Sequence, residues 1–146
     1  MSEWKKWVER NDTDHSIYIR LRDKRAYGGM CVVCGKRPIS CAGHFLSRGN
    51  MATRWDDLNV FGWCSPCNFR EMRDRKEKTK DFFRNVHIQL VGEAERERLE
   101  AKARTIAKFS VADLKDINAR IREQIVNVCG EAVALPRPRI TQEPIL

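Results

Sequence analysis

The sequence has no long apolar run, and this absence excludes two classes of protein. The first residues, Met1-Ser2-Glu3-Trp4-Lys5-Lys6, do not lead into the apolar segment of a signal peptide. No other stretch stays apolar for the length that a membrane-spanning helix needs. The sequence also contains no internal repeat. We therefore expect a cytoplasmic protein with no membrane partner, whose cysteines stay reduced.

The apolar content is modest, so the chain can bury only a small core. Hydrophobic residues make up 42% and charged residues 33% of the 146 residues, which suffice for one domain with extensions. A metal ion that crosslinks the chain would therefore contribute to folding. The formal net charge is +8. A solvated basic surface is the simplest explanation, but phosphate-bearing partners are expected of so basic a chain.

Two C-x-x-C pairs, Cys31 with Cys34 and Cys64 with Cys67, are the most specific feature of the sequence. Two such pairs at this separation are typical of a structural zinc site with four thiolate ligands. The first pair precedes Gly35, which suits a tight turn. A cysteine turn, extended chain and a second cysteine turn at a helix start form the plan of a treble clef. The remaining cysteines, Cys41 and Cys129, are expected to be small buried side chains.

The pattern of apolar residues predicts an α+β fold. Helices are expected at residues 3–10 and 15–25, separated by a turn at 11–14, although alternation at 17–21 also fits a strand. Two strands are expected at 41–46 and 58–63, followed by helices at 66–78, 80–90 and 93–108. Ser110 and Asp113 resemble a capping box that opens a last helix, whose apolar stripe is either core or a dimer seam.

These elements divide the chain into four expected parts. They are an N-terminal helical segment at 1–30, a zinc-bound ββα core at 31–90, a helical extension at 91–130 and a flexible tail at 131–146.

A histidine, an asparagine and a glutamate are candidates for chemistry in the central part. Zinc with four thiolates has no open position, so any catalysis must use other groups. His44 lies late in the first predicted strand, Asn68 directly follows the last cysteine, and Glu71 shares a helical face with Asn68. Strand and helix of a ββα unit pack face to face, so His44 can point at Asn68. A lone histidine on a strand is more often structural, as we expect for His15 at the surface and His87 on a helix.

Taken together, these motifs resemble the NinG (Rap) family of lambdoid phage recombination proteins, within the HNH or His-Me finger nucleases. The resemblance rests on Tyr18-Ile19-Arg20-Leu21-Arg22-Asp23, Cys31-Val32-Val33-Cys34-Gly35, Ala42-Gly43-His44-Phe45, Arg54-Trp55, Leu58-Asn59-Val60 and Cys64-Ser65-Pro66-Cys67-Asn68. It implies a zinc-stapled, HNH-like ββα-metal core and an endonuclease that cuts branched recombination intermediates such as Holliday junctions and D-loops. It also implies a phage or prophage protein that works in the bacterial cytoplasm.

The resemblance assigns roles to individual residues. His44 would be the general base, Asn68 a ligand of catalytic Mg²⁺ or Mn²⁺, and Asn59 the residue that ties the inter-strand loop and so orients His44. Many HNH enzymes have an Asp or His where this chain has Gly43. Glu71 is therefore the candidate second ligand, because related phage junction resolvases carry a Glu three residues after the helix asparagine. The segment 70–75 also departs from the Ser-Gly-Asn that NinG proteins tend to have there.

Arginines on both sides of the cysteine pairs are candidates for DNA binding. They are Arg20, Arg22, Arg48, Arg54, Arg70 and Arg73. Charged runs usually face solvent, but here they would track phosphates and read DNA shape rather than sequence. The expected partners are branched DNA, a second copy of the chain, because a junction needs two incisions, and recombination proteins. Two alternatives remain: a non-catalytic zinc module that binds nucleic acid, and a general HNH nicking endonuclease.

Overall fold

A computed structural model describes residues 1–130, in which five helices surround a two-stranded sheet. The predicted tail at 131–146 lies outside the described residues. The elements are α1 (Glu3–Ala26), β1 (Cys41–His44), a short 3₁₀ turn (Met51–Thr53), β2 (Val60–Trp63), α2 (Ser65–Arg73), α3 (Glu77–Val91), α4 (Glu93–Ala103) and α5 (Val111–Gly130). The predicted α+β class is confirmed. No helix within residues 1–130 is long and apolar enough to cross a membrane.

The N-terminal part is one helix, so the predicted turn at residues 11–14 is wrong. The polar side chains that suggested a turn instead bind the neighbouring helix α5. Asn11 donates to the carbonyl oxygen of Leu114 at 3.0 Å, and Asp14 accepts from Asn118 at 2.9 Å. Because the Asn11 amide nitrogen and the Asp14 carboxylate are bound to α5, these groups do not compete with the backbone of α1, although the buried Asn11 Oδ1 atom has no hydrogen-bond partner among the described residues. The helix also rules out the strand alternative at 17–21.

The two strands form an antiparallel hairpin, and His44 is the last residue of β1, where the loop between the strands begins. Cys41 pairs with Trp63 and His44 pairs with Val60. All four residues of β2 are buried, because α1 covers one side of the sheet and the α3 helix packs near the other. Trp63 is fully buried at the centre, with its ring 5.5 Å from that of Phe83 and 4.8 Å from that of Phe45.

Two of the helices after the sheet end earlier than predicted, and α3 begins earlier. α2 ends at Arg73 rather than at residue 78, and α3 begins at Glu77 rather than at residue 80. Asp74 lies between them and accepts hydrogen bonds from the Lys76 amide and the Thr79 hydroxyl, which stabilises the start of α3. The expected helix at 93–108 ends at Ala103.

The capping box at the start of α5 is confirmed. The Ser110 amide donates to the Asp113 carboxylate at 2.8 Å, and the Asp113 amide donates to the Ser110 hydroxyl at 3.1 Å. The apolar stripe of α5 packs against α1 of the same chain. Ile121 and Val128 pack with Tyr18 and Ile19 of α1, so this stripe is core in the structure.

Candidate functional site

The four cysteines of the two C-x-x-C pairs converge on one point. Their sulfur atoms all lie within 4.8 Å of one another, which fits a single metal ion. A tetrahedral zinc site with Zn–S bonds of about 2.3 Å has sulfur–sulfur edges of about 3.8 Å. The Sγ atoms of Cys34 and Cys64 are 3.8 Å apart, far longer than a disulfide bond. The donor set and spacing therefore fit structural zinc.

The surroundings favour an anionic sulfur at Cys31, whereas contact with Cys31 and burial raise the pKa of Cys67, and burial raises the pKa of Cys64. Hydrogen bonds from the Cys67 thiol and from backbone amides lower the pKa of Cys31 to about 5, against the effect of burial. Metal-bound cysteine is a thiolate, so these amides assist binding. The cluster joins the loop before β1 to the start of α2, since Cys64 caps α2 and Cys67 lies within it.

His44 ends β1 in the last pair of the hairpin, opposite Val60, with its imidazole in a defined orientation. Its Nε2 atom is 2.9 Å from the carbonyl oxygen of Arg54. A carbonyl can only accept, so Nε2 carries the proton and Nδ1 carries the lone pair. Burial lowers the pKa of His44 to about 4, against the effect of that carbonyl. The imidazole is therefore neutral at physiological pH.

His44, Asn68 and Glu71 line the same cavity, which has a volume of about 690 Å³. The cavity lies between the end of β1, the loop after it, α1 and one face of α2. Glu71 comes one helical turn after Asn68, which places both side chains on that face. Burial raises the pKa of Glu71, an effect that Arg75 partly offsets. An imidazole, an amide and a carboxylate thus border one space open to solvent.

A network of buried hydrogen bonds holds the loop that contacts His44. Asn59 is fully buried, its amide oxygen accepts from the Leu46 amide at 2.8 Å, and its nitrogen donates to the carbonyls of Leu46 and Thr53. These bonds join the end of β1 to the 3₁₀ turn that precedes Arg54. The side chain of Asn59 therefore acts on the site through the loop and does not line the cavity.

Arg54 holds the same loop against α1, which corrects its expected contact with phosphate. Its guanidinium makes two hydrogen bonds to the Asp12 carboxylate, at 2.6 and 2.9 Å. The indole N–H of Trp55 donates to Asp12 as well, at 3.0 Å. With its donors used for Asp12, Arg54 instead presents its carbonyl oxygen to His44.

Arg22 also cannot contact DNA, because it is buried beneath the sheet. It is 2% exposed and donates to the Asp23 carboxylate and to the carbonyls of Asp57 and Val60. Asp23 in turn accepts from the Gly62 amide at 2.6 Å. The pair thus joins α1 to β2, and the prediction that Arg22 binds phosphate is wrong.

The other predicted DNA-binding arginines are accessible to different extents. Arg20 is half-buried and donates to the Ser16 carbonyl at 3.2 Å. Arg48 is exposed at the mouth of the cavity. Arg70 is half-buried and Arg73 is exposed, both on α2. Their contact with DNA stays a prediction.

The packing of Trp63 explains why the residue before His44, Gly43, is a glycine. A Cβ atom on Gly43 would lie 2.2 Å from Cδ2 of Trp63, well inside van der Waals contact. The indole ring occupies the space that a metal ligand at this position would need. Two carboxylates line the cavity together with Asn68, namely Glu71 and Asp12, and Asp12 is already hydrogen-bonded to Arg54 and Trp55.

His15 lines the cavity although the sequence assigned it to the surface. It is 2% exposed, and its Nε2 atom is 2.9 Å from the Asp57 carboxylate. The continuous helix α1 brings it there, so the misplaced turn at 11–14 hid its position. His87 is also buried, and Cys129 is exposed rather than buried.

The hairpin, the cysteine cluster at its base and the helix that follows define a small α+β protein with a zinc-type cysteine centre. The family model for the bacteriophage lambda NinG protein matches residues 1–130. The chain therefore belongs to the NinG family, a phage family related to recombination. Comparisons with curated proteins and with solved structures gave no match.

Proposed function

We propose that this NinG-family protein is a divalent-metal-dependent DNA endonuclease that cuts branched recombination intermediates. The observation that carries the proposal is the arrangement of the cavity. There, His44 has its Nε2 fixed by the Arg54 carbonyl, and it shares the space with Asn68 and Glu71. The family relation to recombination supports the choice of branched DNA as substrate.

In this mechanism His44 is the general base. Its Nδ1 atom accepts a proton from the water that attacks the phosphorus atom, and the bond from phosphorus to the 3′ oxygen breaks. Burial lowers the pKa of the imidazole, so it is unprotonated at neutral pH and its Nδ1 atom can accept a proton, while the same shift makes it a weaker base than a free imidazole. Loss of a positioned base costs about 10² to 10⁴ in rate.

Asn68 and Glu71 would hold the catalytic cation through the amide oxygen and the carboxylate. Mg²⁺ and Mn²⁺ prefer such oxygen ligands, and one would polarise the scissile phosphate and stabilise the leaving oxygen. The cysteine cluster would hold zinc as a structural ion, because its ligands leave no open position. Zinc bound there would fix the start of α2 and with it the position of Asn68.

A homodimer accounts for the two incisions that resolution of a four-way junction requires. Arg48, which is exposed and lines the cavity, and Arg70 and Arg73 on α2 would contact backbone phosphates. Binding should therefore weaken steeply as salt rises.

The test compares a labelled four-way junction with a linear duplex of the same sequence, with and without Mg²⁺ or Mn²⁺. We expect nicking of the junction only, abolished by His44→Ala while junction binding is retained. Lys108→Ala, an exposed site between α4 and α5, is the matched control. Zinc content and circular dichroism show that each variant is folded.

Three outcomes would contradict the proposal. Binding without cleavage in any divalent metal would make the protein a zinc module for nucleic acid, which the cysteine cluster alone would also support. Equal cutting of the linear duplex would indicate a general nicking endonuclease. Full activity of His44→Ala would remove the histidine from the mechanism.

A further inference from the structure

One face of α2 exposes two large apolar side chains beside the candidate active site. Phe69 is 58% exposed and Met72 is 52% exposed. Residues 65–73, all of them described, include no buried residue. Trp4, another exposed aromatic residue, is anchored because its indole N–H donates to the Phe109 carbonyl at 2.8 Å. Phe69 has no polar atom that could fix it in this way.

Helical geometry makes this face continuous with the cavity. With about 100° per residue, Met72 lies about 40° from Asn68 and about 60° from Phe69 around the helix. Met72 itself lines the cavity together with Asn68. A group bound on Phe69 and Met72 would therefore sit next to a phosphate held at Asn68.

Positive charge surrounds the apolar face. The guanidinium carbon of Arg73 lies 5.3 Å from the centre of the Phe69 ring, so Arg73 covers one face of the ring. Arg75 lines the cavity together with Met72. Asp74, the acidic residue that directly follows α2, accepts hydrogen bonds from Lys76 and Thr79. The charge favours a polyanion and disfavours a second copy, which would bring the same arginines together.

We infer that Phe69, supported by Met72, stacks on an unpaired base at the branch point of the DNA substrate. The inference rests on the proposed function and adds how that site distinguishes branched DNA. A base in a continuous duplex is stacked on its neighbours and is not available, whereas a base at a branch can turn out onto an aromatic ring. The neighbouring arginines hold the flanking phosphates, and the phosphate beside the unstacked base lies at the cavity.

The experiment measures binding rather than cutting, in a His44→Ala background that keeps the DNA intact. The probe is a four-way junction with an unpaired 2-aminopurine at the branch point, and the control DNA is a linear duplex with paired 2-aminopurine. Stacking on Phe69 should change the fluorescence of the junction probe on binding. In Phe69→Ala the fluorescence change should disappear and the affinity for the junction should fall about 10-fold, whereas the affinity for the duplex should stay unchanged.

Two further variants keep the inference falsifiable. Phe69→Trp should restore both the affinity and the fluorescence change, because an indole ring stacks at least as well. Ile106→Ala, at a residue 88% exposed, should behave as the unaltered chain. Because Phe69 is exposed, Phe69→Ala should fold and keep its zinc content.

The following results would overturn the inference. One is a loss of affinity in Phe69→Ala that is equal for junction and duplex, or absent for both. Another is a change from dimer to monomer in Phe69→Ala with unchanged DNA affinity, which would assign this face to a second copy. Failure of the unaltered chain to cleave any DNA would refute the proposed function but not the stacking, since binding and fluorescence need no cleavage.

Discussion

Gly43 offers a quantitative test of how tightly the hairpin is packed beneath His44. The change is Gly43→Ala, which adds a single methyl group. That methyl would lie 2.2 Å from Trp63 Cδ2 and 2.5 Å from Cε3, whereas unstrained carbon atoms stay about 3.5 to 4 Å apart. Either the ring or the strand must therefore move by about 1.5 Å.

The ring has little room to move. Trp63 is 0% exposed and lies between Phe83 and Phe45, with ring centres 5.5 and 4.8 Å away. Overpacking of a rigid core costs about 1 to 3 kcal/mol, and we expect the upper end, about 3 kcal/mol. For a chain of this length that corresponds to a fall in Tm of roughly 10 °C.

Denaturant unfolding in zinc-containing buffer measures this cost. Gly49→Ala is the matched control, because the nearest atom to its new methyl is Ser47 Oγ at an ordinary 3.5 Å. We expect it to change the free energy of unfolding by less than about 0.5 kcal/mol. In a Trp63→Phe background the cost of Gly43→Ala should shrink, since the clashing ring is smaller. Equal stability of Gly43→Ala and Gly49→Ala, or an unchanged cost in that background, would refute the reasoning.

Three further predictions concern interactions that stabilise the site and the surrounding fold. Asp12→Asn should weaken the ion pair between Asp12, which is 23% exposed, and Arg54, which is 16% exposed. The free energy of unfolding in urea should fall by about 1 to 2 kcal/mol. The substitution should also slow cleavage without weakening DNA binding, because the carbonyl that orients His44 is displaced; unchanged cleavage would contradict this role. Burial lowers the pKa of His87 from 6.5 to about 4, so the folded chain binds fewer protons than the unfolded chain, and stability falls as pH drops through this window. Between pH 7.5 and pH 5 the unaltered chain should lose about 2 kcal/mol more than His87→Gln, and equal losses would exclude the histidine as the cause. Removal of metal by a chelator should release zinc and unfold the chain, as monitored by circular dichroism, whereas a folded metal-free chain would show that the cysteines are not structural ligands.

Local patterns in the sequence predicted much of this fold. The two C-x-x-C pairs identified the cysteine cluster, and Ser110 with Asp113 identified the start of α5, because both signals lie within a few neighbouring residues. The order of strand, strand and helix likewise predicted that His44 and Asn68 would come close. Their chemical roles stay predictions.

Tertiary contacts account for what the sequence did not reveal. Asn11 and Asp14 are residue types that are common in turns, yet each makes a side-chain hydrogen bond to α5 and the helix α1 continues through them. For the same reason the position of His15 at the cavity could not be foreseen. Arg22 and Arg54 read as surface cations, but each has a buried or half-buried partner on another element.

The most direct test of the proposed mechanism is chemical rescue of His44→Ala by free imidazole. The cavity of about 690 Å³ has room for this molecule where the side chain is removed. The account predicts that imidazole restores junction nicking in His44→Ala in proportion to its unprotonated form, and does not restore it in Asn68→Ala. Undiminished nicking by His44→Ala without imidazole, or nicking of Asn68→Ala restored to the same degree, would contradict the assignment of His44 as the base.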